Sequence, residues 1–111
     1  MTLDELRSFG AKVDEGLERC MNNEEFYLKM VGKCLDDPKF ADLGNALKAG
    51  DLDDAFEQAH AIKGVVSNLS LTPLQEKVEE ITELLRARTQ MDYTEIYDSI
   101  MHIRDDIAAL R

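Results

Sequence analysis

The segment around His60 combines residue types that could together carry out phosphoryl transfer. His60 is followed by Lys63, Gly64 and Ser67 within two helical turns. A free imidazole is largely neutral near neutral pH and can act as a nucleophile. Phosphoryl transfer needs little from a protein beyond positioning and charge compensation, and Lys63 can offset charge on phosphoryl oxygens. The spacing therefore predicts a surface histidine that accepts a phosphoryl group.

A helix through this segment would turn those side chains toward solvent. At about 100° per residue, the centre of an apolar stripe lies about 130° from His60. Lys63, Gly64 and Ser67 lie within about 60° of His60, on the opposite face from that stripe. The stripe consists of Leu52, Ala55, Ala59, Ile62, Val66 and Leu69.

Gly64 is an unusual residue for the middle of a helix, where glycine costs about 1 kcal/mol relative to alanine. Two explanations are open at this point. A missing side chain would clear the approach to His60, or it would let another helix pass closely. His60 has a plain alternative as well, namely an ordinary solvated surface histidine. Phe56, one turn before His60, could form the apolar edge of a docking face or pack under a neighbouring helix.

The chain has no motif that would supply the phosphoryl group from a nucleotide. Neither a Gly-x-x-x-x-Gly-Lys-Ser/Thr loop nor a Gly-x-Gly-x-x-Gly loop occurs, and no carboxylate cluster suggests a magnesium site. We therefore expect no cofactor and no metal, and a phosphocarrier that depends on a partner rather than an enzyme. A zinc site is also disfavoured, since its ligands would come from core and solvent faces at once.

The net charge of the chain restricts the kinds of molecule that it is expected to bind. The 111 residues carry a formal net charge of −10, which disfavours nucleic acids and anionic membranes and favours a protein partner. No apolar run is long enough to span a membrane, and the N-terminus lacks the features of a secretory signal. We expect a cytoplasmic, free-standing single domain over residues 1–111, with Cys20 and Cys34 as buried, reduced thiols.

Caps and apolar periodicity predict helices along the whole chain. Start signals occur at Thr2, Asn22–Glu25, Asp37-Pro38 (with Pro38 as the first helical residue), Asp51, Thr72-Pro73, and Asp92 with Glu95. A further short helix is predicted from Asp14 to Met21, burying Leu17, Cys20 and Met21. The fold predicted is all-α: a monomeric, antiparallel, up-down four-helix bundle with one or two short N-terminal helices.

Two apolar stripes should contribute much of the core. One runs through the third helix and the other through the last, where His102 lies about 120° from the stripe and is expected at the surface. Their members are Phe26, Tyr27, Met30, Val31, Cys34 and Leu35 in the first, and Ile96, Ile100, Ile103, Ile107 and Leu110 in the second.

The segment from Ala59 to Gly64, together with Ser67 and Leu74, resembles the signature of histidine-containing phosphotransfer (HPt) domains. Residues 16–27 (GLERCMNNEEFY) are similar to the family's N-terminal pattern. The resemblance implies His60 as phosphoacceptor, Lys63 as charge partner and Gly64 as steric clearance. The chain departs from the family at Ser70, where HPt domains usually have glycine in the turn.

The resemblance also implies the partners and the function. These are a response-regulator receiver domain and a hybrid or sensor histidine kinase, between which the domain relays the phosphoryl group in two-component signalling. The sequence leaves open the direction of phosphoryl flow, the identities of kinase and regulator, and the signal sensed. It also leaves open whether the domain is free-standing or a segment of a larger kinase. The alternative function is a helical protein-binding module whose surface histidine does not react.

Overall fold

Seven α-helices and no β-strands make up the computed structural model, which describes all 111 residues. The predicted all-helical class is confirmed. In chain order the helices are α1 Leu3–Phe9, α2 Val13–Arg19, α3 Glu24–Leu35, α4 Lys39–Lys48, α5 Leu52–Asn68, α6 Thr72–Arg86 and α7 Thr94–Ala108.

Three helices begin at polar residues whose side chains cap the first turn. The side-chain oxygens of Thr2, Asn23 and Asp51 each accept a hydrogen bond from the backbone N–H three residues later, at 3.0–3.1 Å. Such caps satisfy donors that a helix leaves unpaired at its start. They confirm the predicted beginnings of α1, α3 and α5.

Two other beginnings differ slightly from prediction. Helix α4 begins at Lys39, with Pro38 in the flanking position rather than as the first helical residue. At α7, Asp92 accepts from the N–H of Thr94 at 2.9 Å, so the predicted pairing of Asp92 with Glu95 as a cap is wrong. The carboxylate reaches the N–H two residues ahead, which places the first helical residue at Thr94.

Left-handed residues end five of the helices, at Gly10, Met21, Gly50, Ser70 and Arg88. At each of these positions, two consecutive backbone N–H groups donate to carbonyls of the helix's last turn. After α5, for example, the N–H groups of Ser70 and Leu71 donate to the carbonyls of Ser67 and Val66. Because Met21 occupies such a position, α2 ends at Arg19 and the side chain of Met21 is 87% exposed. The predicted extension of α2 to a buried Met21 is therefore wrong.

The core contains the predicted stripes with one further correction. Every member of the α5 stripe is buried except Leu52, which is half-buried, and Ile100 and Ile107 of α7 are also fully enclosed. In α3, Tyr27 is fully buried but its neighbour Phe26 is 45% exposed, so the assignment of Phe26 to the core is wrong. Adjacent residues on a helix diverge by about 100°, and only one of the two can face inward here.

The helices contact one another in chain order from α4 to α7, and α3 packs on α7. The N-terminal segment is tied to the turn between α5 and α6. There the N–H of Lys12 donates to the carbonyl of Ser70 at 3.0 Å, and the hydroxyl of Tyr27 donates to the carbonyl of Leu69 at 2.8 Å. This turn follows directly after the helix that carries His60.

No helix is both long enough and apolar enough to cross a membrane.

Candidate functional site

His60 lies on the exposed face of α5, opposite the buried stripe of the same helix. Its imidazole forms no hydrogen bond within the protein. Lys63 is half-exposed on the next turn and forms no ion pair, so its ammonium group is free to meet an anion near His60. The structure therefore brings together an open imidazole and an uncommitted cation.

The space next to Gly64 distinguishes the two explanations for this glycine. No atom lies within 4 Å of the position that a Cβ atom would occupy at Gly64. At Gly16, by contrast, a Cβ would lie 2.7 Å from the carbonyl oxygen of Leu69. Close packing of helices therefore accounts for Gly16 but not for Gly64.

Ser67 is only partly accessible, although it lies on the same side of α5 as His60. Its Oγ atom is buried and has no hydrogen-bond partner, and its carbonyl accepts from the guanidinium of Arg19 at 3.2 Å. The predicted neighbour of the site thus lies at the end of α5, with its hydroxyl turned away from solvent.

Phe56 packs directly against His60. The two ring centroids are 5.7 Å apart and the ring planes are inclined by 25°, within the usual range for stacked aromatic pairs. The guanidinium carbons of Arg86 and Arg88 lie 5.0 and 4.8 Å from the centroid of the Phe56 ring. These two arginines were not predicted from the sequence, since spacing within α5 carries no information about the end of α6.

A shallow, open groove of about 450 Å³ lies beside Gly64. Ala61, Val65 and Leu69 of the α5 region contribute one side, and Cys20, Phe26 and Met30 contribute apolar atoms from the other. Phe26 and Val65 are 45% and 37% exposed, which is high for large apolar side chains next to each other on a surface. The groove gives the His60 face an apolar border.

Arg19 closes the C-terminal end of α5 from a neighbouring helix. Its Nη1 atom donates to the carbonyls of Ser67 and Asn68 at 3.2 and 3.1 Å and to the Oγ atom of Ser70 at 2.7 Å. The last turn of α5 contains no basic residue, so Arg19 supplies the positive charge that favours a helix C-terminus. Ser70 has φ 54°, the left-handed conformation that glycine adopts most easily.

The other histidine lies on a different helix from His60, whereas Cys20 lines the groove beside Gly64. His102 is an exposed residue on α7, where its imidazole lies 3.5 Å from a carboxylate oxygen of Asp106. Cys20 and Cys34 are both buried. Burial, followed by the nearby charge of Asp37, raises the pKa of the Cys34 thiol to about 12, so this thiol stays protonated at neutral pH.

The site thus combines an all-helical fold, an exposed histidine without a hydrogen-bond partner, and an open glycine position one turn later. Comparison with protein families gives the class of the protein. The model of the Hpt domain matches residues 37–111, which is more than half of the chain and includes His60, Lys63 and Gly64. The chain belongs to the Hpt domain family, whose members are phosphocarrier modules of two-component signalling and interact with receiver domains and histidine kinases. Comparison with curated proteins and with solved structures found no match.

Proposed function

We propose that His60 accepts a phosphoryl group from a receiver domain of a hybrid or sensor kinase and passes it to a response regulator. The observation that carries this proposal is the open space at Gly64, one turn from an exposed imidazole. That space admits a flat approach by a second protein, while the buried face of α5 holds the imidazole on a rigid element.

The transfer is a nucleophilic displacement at phosphorus. An imidazole nitrogen of His60 attacks an acyl phosphate on the receiver, and a P–N bond forms as the P–O bond to the receiver's carboxylate breaks. The carboxylate leaves with the bonding electron pair, and the other imidazole nitrogen keeps its proton, so the phosphorylated ring is a cation. Lys63 offsets charge on the phosphoryl oxygens during this exchange. The reverse of the same step delivers the group to the second receiver.

The groove beside Gly64 serves as the docking surface for the receiver in this proposal. Phe26 and Val65 offer apolar area in the groove that Gly64 also lines. Burial of such area stabilises a complex by about 25 cal/mol per Å² before the costs of association. Phe26→Ser should therefore weaken receiver binding. Met91 is a matched control, because it is similarly exposed (46%) but lines a different pocket, between α4 and α7. Met91→Ser should bind as wild type, and equal effects of the two substitutions would argue against docking at this groove.

The proposal also covers the number of domains, the oligomeric state and the relative directions of the helices. We infer that residues 1–111 form one monomeric domain in which α4 to α7 make an antiparallel up-down bundle. Short connections between α4, α5 and α6 support the antiparallel order. A continuous cluster of buried residues from Leu6 to Ile107 supports a single domain. A single cooperative unfolding transition and a monomer mass by light scattering are expected; two separate transitions would contradict the single domain.

The central experiment is incubation with a radiolabelled, phosphorylated receiver domain. We expect label to move to this protein and to be lost in acid but kept in base, as a phosphoramidate bond requires. With ATP and Mg²⁺ alone the protein should remain unlabelled. Receiver binding without transfer would favour the alternative function, a binding module with an unreactive histidine.

A further inference from the structure

The orientation of the His60 imidazole depends on Phe56. The ring nitrogens of His60 have no hydrogen-bond partner in the protein, so no polar contact fixes the imidazole. The stacked ring of Phe56, centred 5.7 Å away, is the specific contact that restrains it. The placement of Phe56 therefore bears on the placement of the reacting nitrogen.

Arg88, two residues after the end of α6, contacts Phe56 from outside α5. Arg86 also lies over the ring, but its guanidinium hydrogen-bonds only to Glu83 on its own helix. The guanidinium of Arg88 donates from Nε to Asp53 at 2.7 Å and from Nη1 to the carbonyl of Leu85 at 2.7 Å, which fixes it at both ends. In that position its central carbon lies 4.8 Å from the centre of the Phe56 ring, a cation–π distance. The contacts form a continuous chain from α6 through Phe56 to His60.

Arg88 has a backbone conformation that glycine adopts more easily than arginine. Its φ is 52°, in the left-handed region, where glycine would be unstrained. The residue also ends α6, since its N–H donates to the carbonyl of Leu85. The chain thus has a long cationic side chain at a position where the backbone alone favours glycine. The ion pair with Asp53 is exposed and contributes little stability, so its effect is mainly geometric.

We propose that Arg88 is a positioning residue for phosphoryl transfer and that it acts through Phe56. The inference rests on the proposed function of His60. Without the stack, the imidazole gains access to about two or three χ1 wells and two χ2 orientations, and the reactive population falls by about four- to sixfold. The nucleophile itself is unchanged, so only a reaction that requires a defined ring orientation should become slower.

The test compares two phosphoryl donors on the Arg88→Gly variant. With a phosphorylated receiver at saturating concentration, the rate constant of transfer should fall about four- to sixfold while the apparent Kd is unchanged. With phosphoramidate, a small donor that approaches the ring from any direction, the labelling rate should equal that of wild type. The melting temperature should be maintained or raised, because glycine relieves the left-handed backbone. Arg111→Gly removes the same charge from an ion pair with Asp36 and should leave both rates unchanged.

A second set of variants tests the route through Phe56. Phe56→Leu should reproduce the loss, and the double variant with Arg88→Gly should lose no more than either single variant, since both remove the same restraint. Arg88→Lys should rescue the rate incompletely, because an ammonium group cannot lie flat on the ring. The ring-current shift of the His60 carbon-bound protons should change in Arg88→Gly toward its value in Phe56→Leu.

The outcomes separate this inference from the proposed function. If wild type is labelled but Arg88→Gly transfers at the wild-type rate, the positioning role is wrong and the proposed function stands. If Arg88→Gly slows both donors equally, the positioning role is also wrong, since the imidazole itself has then been impaired. If wild type is labelled by neither donor, the proposed function fails and the positioning role fails with it.

Discussion

The Nη1 atom of Arg19 lies 2.7 Å from the Oγ atom of Ser70, and this contact joins α2 to the turn that ends the His60 helix. Arg19 lies outside residues 37–111, the part of the chain that matches the Hpt domain model, whereas Ser70 lies within it. The segment before residue 37 therefore stabilises the end of α5, in addition to lining one side of the groove beside Gly64.

This contact predicts an energetic coupling between the two residues. Arg19→Ala removes three hydrogen bonds at an exposed site and should lower the free energy of unfolding by about 1 kcal/mol. Ser70→Gly loses the bond to Arg19 but relieves a left-handed backbone, so the two effects should nearly cancel. In the Arg19→Ala background, Ser70→Gly should instead stabilise by about 1 kcal/mol. Urea unfolding of the four proteins measures the coupling, and purely additive effects would contradict it.

The clearance at Gly64 can be tested against a second helical glycine. Gly32 in α3 also has no atom within 4 Å of its Cβ position. Gly64→Gln and Gly32→Gln should both raise the stability of the protein, by up to about 1 kcal/mol, since glycine is a poor helix residue. Only Gly64→Gln should slow transfer from a phosphorylated receiver. Equal transfer rates in the two variants would show that the space beside His60 is not needed.

His60→Gln should abolish labelling by any phosphoryl donor and leave the fold intact. The side chain is exposed, and exposed substitutions usually change stability by less than about 0.5 kcal/mol. His102→Gln is the control, because His102 is the other histidine of the chain and is also exposed. It should behave as wild type. Acid-labile label that persists in His60→Gln would place the acceptor at another residue.

Lys63 should assist transfer without being required for it. Its interaction with the phosphoryl oxygens takes place at a partly exposed surface, where charge interactions are weak and screened by salt. Lys63→Ala should slow transfer or shorten the lifetime of the phosphorylated state, and high salt should reduce the difference from wild type. Lys33→Ala removes an equivalent charge from α3 and should have no effect. Complete loss of labelling in Lys63→Ala would instead make this residue essential.

Alkaline pH should destabilise the protein through two buried groups. Burial raises the pKa of Tyr27 from 10.0 to about 12 and the pKa of Cys34 from 9.0 to about 12. The unfolded chain ionises first, so the native state binds more protons in this range. The stabilisation is fully present below pH 9 and is lost as the pH rises toward 12. Urea unfolding should show this decline, and Tyr27→Phe should make it shallower; the same slope in both proteins would be the contrary result.

Sequence patterns predicted most helix boundaries because the caps are local. Thr2, Asn23 and Asp51 each bond to a backbone N–H only three residues away, so the signal lies within a few letters of sequence. The C-terminal ends of helices were harder to predict where a residue other than glycine takes the left-handed conformation. Glycine, which favours this conformation, occupies the left-handed position after α1 and α4, at Gly10 and Gly50. Met21 is not a residue type that indicates such a turn, and the predicted α2 was therefore too long.

The candidate site was predictable to the extent that it lies on one helix. Periodicity alone placed His60 away from the buried stripe of α5, and the structure has it exposed. The contact of Arg88 with Phe56 depends on where the end of α6 lies relative to the start of α5, which no spacing within either helix reveals. Similarly, whether Phe26 or Tyr27 faces the core depends on how α3 is rotated against its neighbours.

If His60 carries a phosphoryl group as proposed, the openness of its face also limits how long that group can be held there. The space at Gly64 that admits a partner admits water equally, and the exposed imidazole keeps any P–N bond in contact with solvent. Hydrolysis of the P–N bond and transfer of the phosphoryl group to a receiver would therefore compete at the same surface. Under the proposed function such a relay would act as a short-term buffer rather than a memory, and the fraction of signal delivered would depend on how often a receiver arrives before hydrolysis.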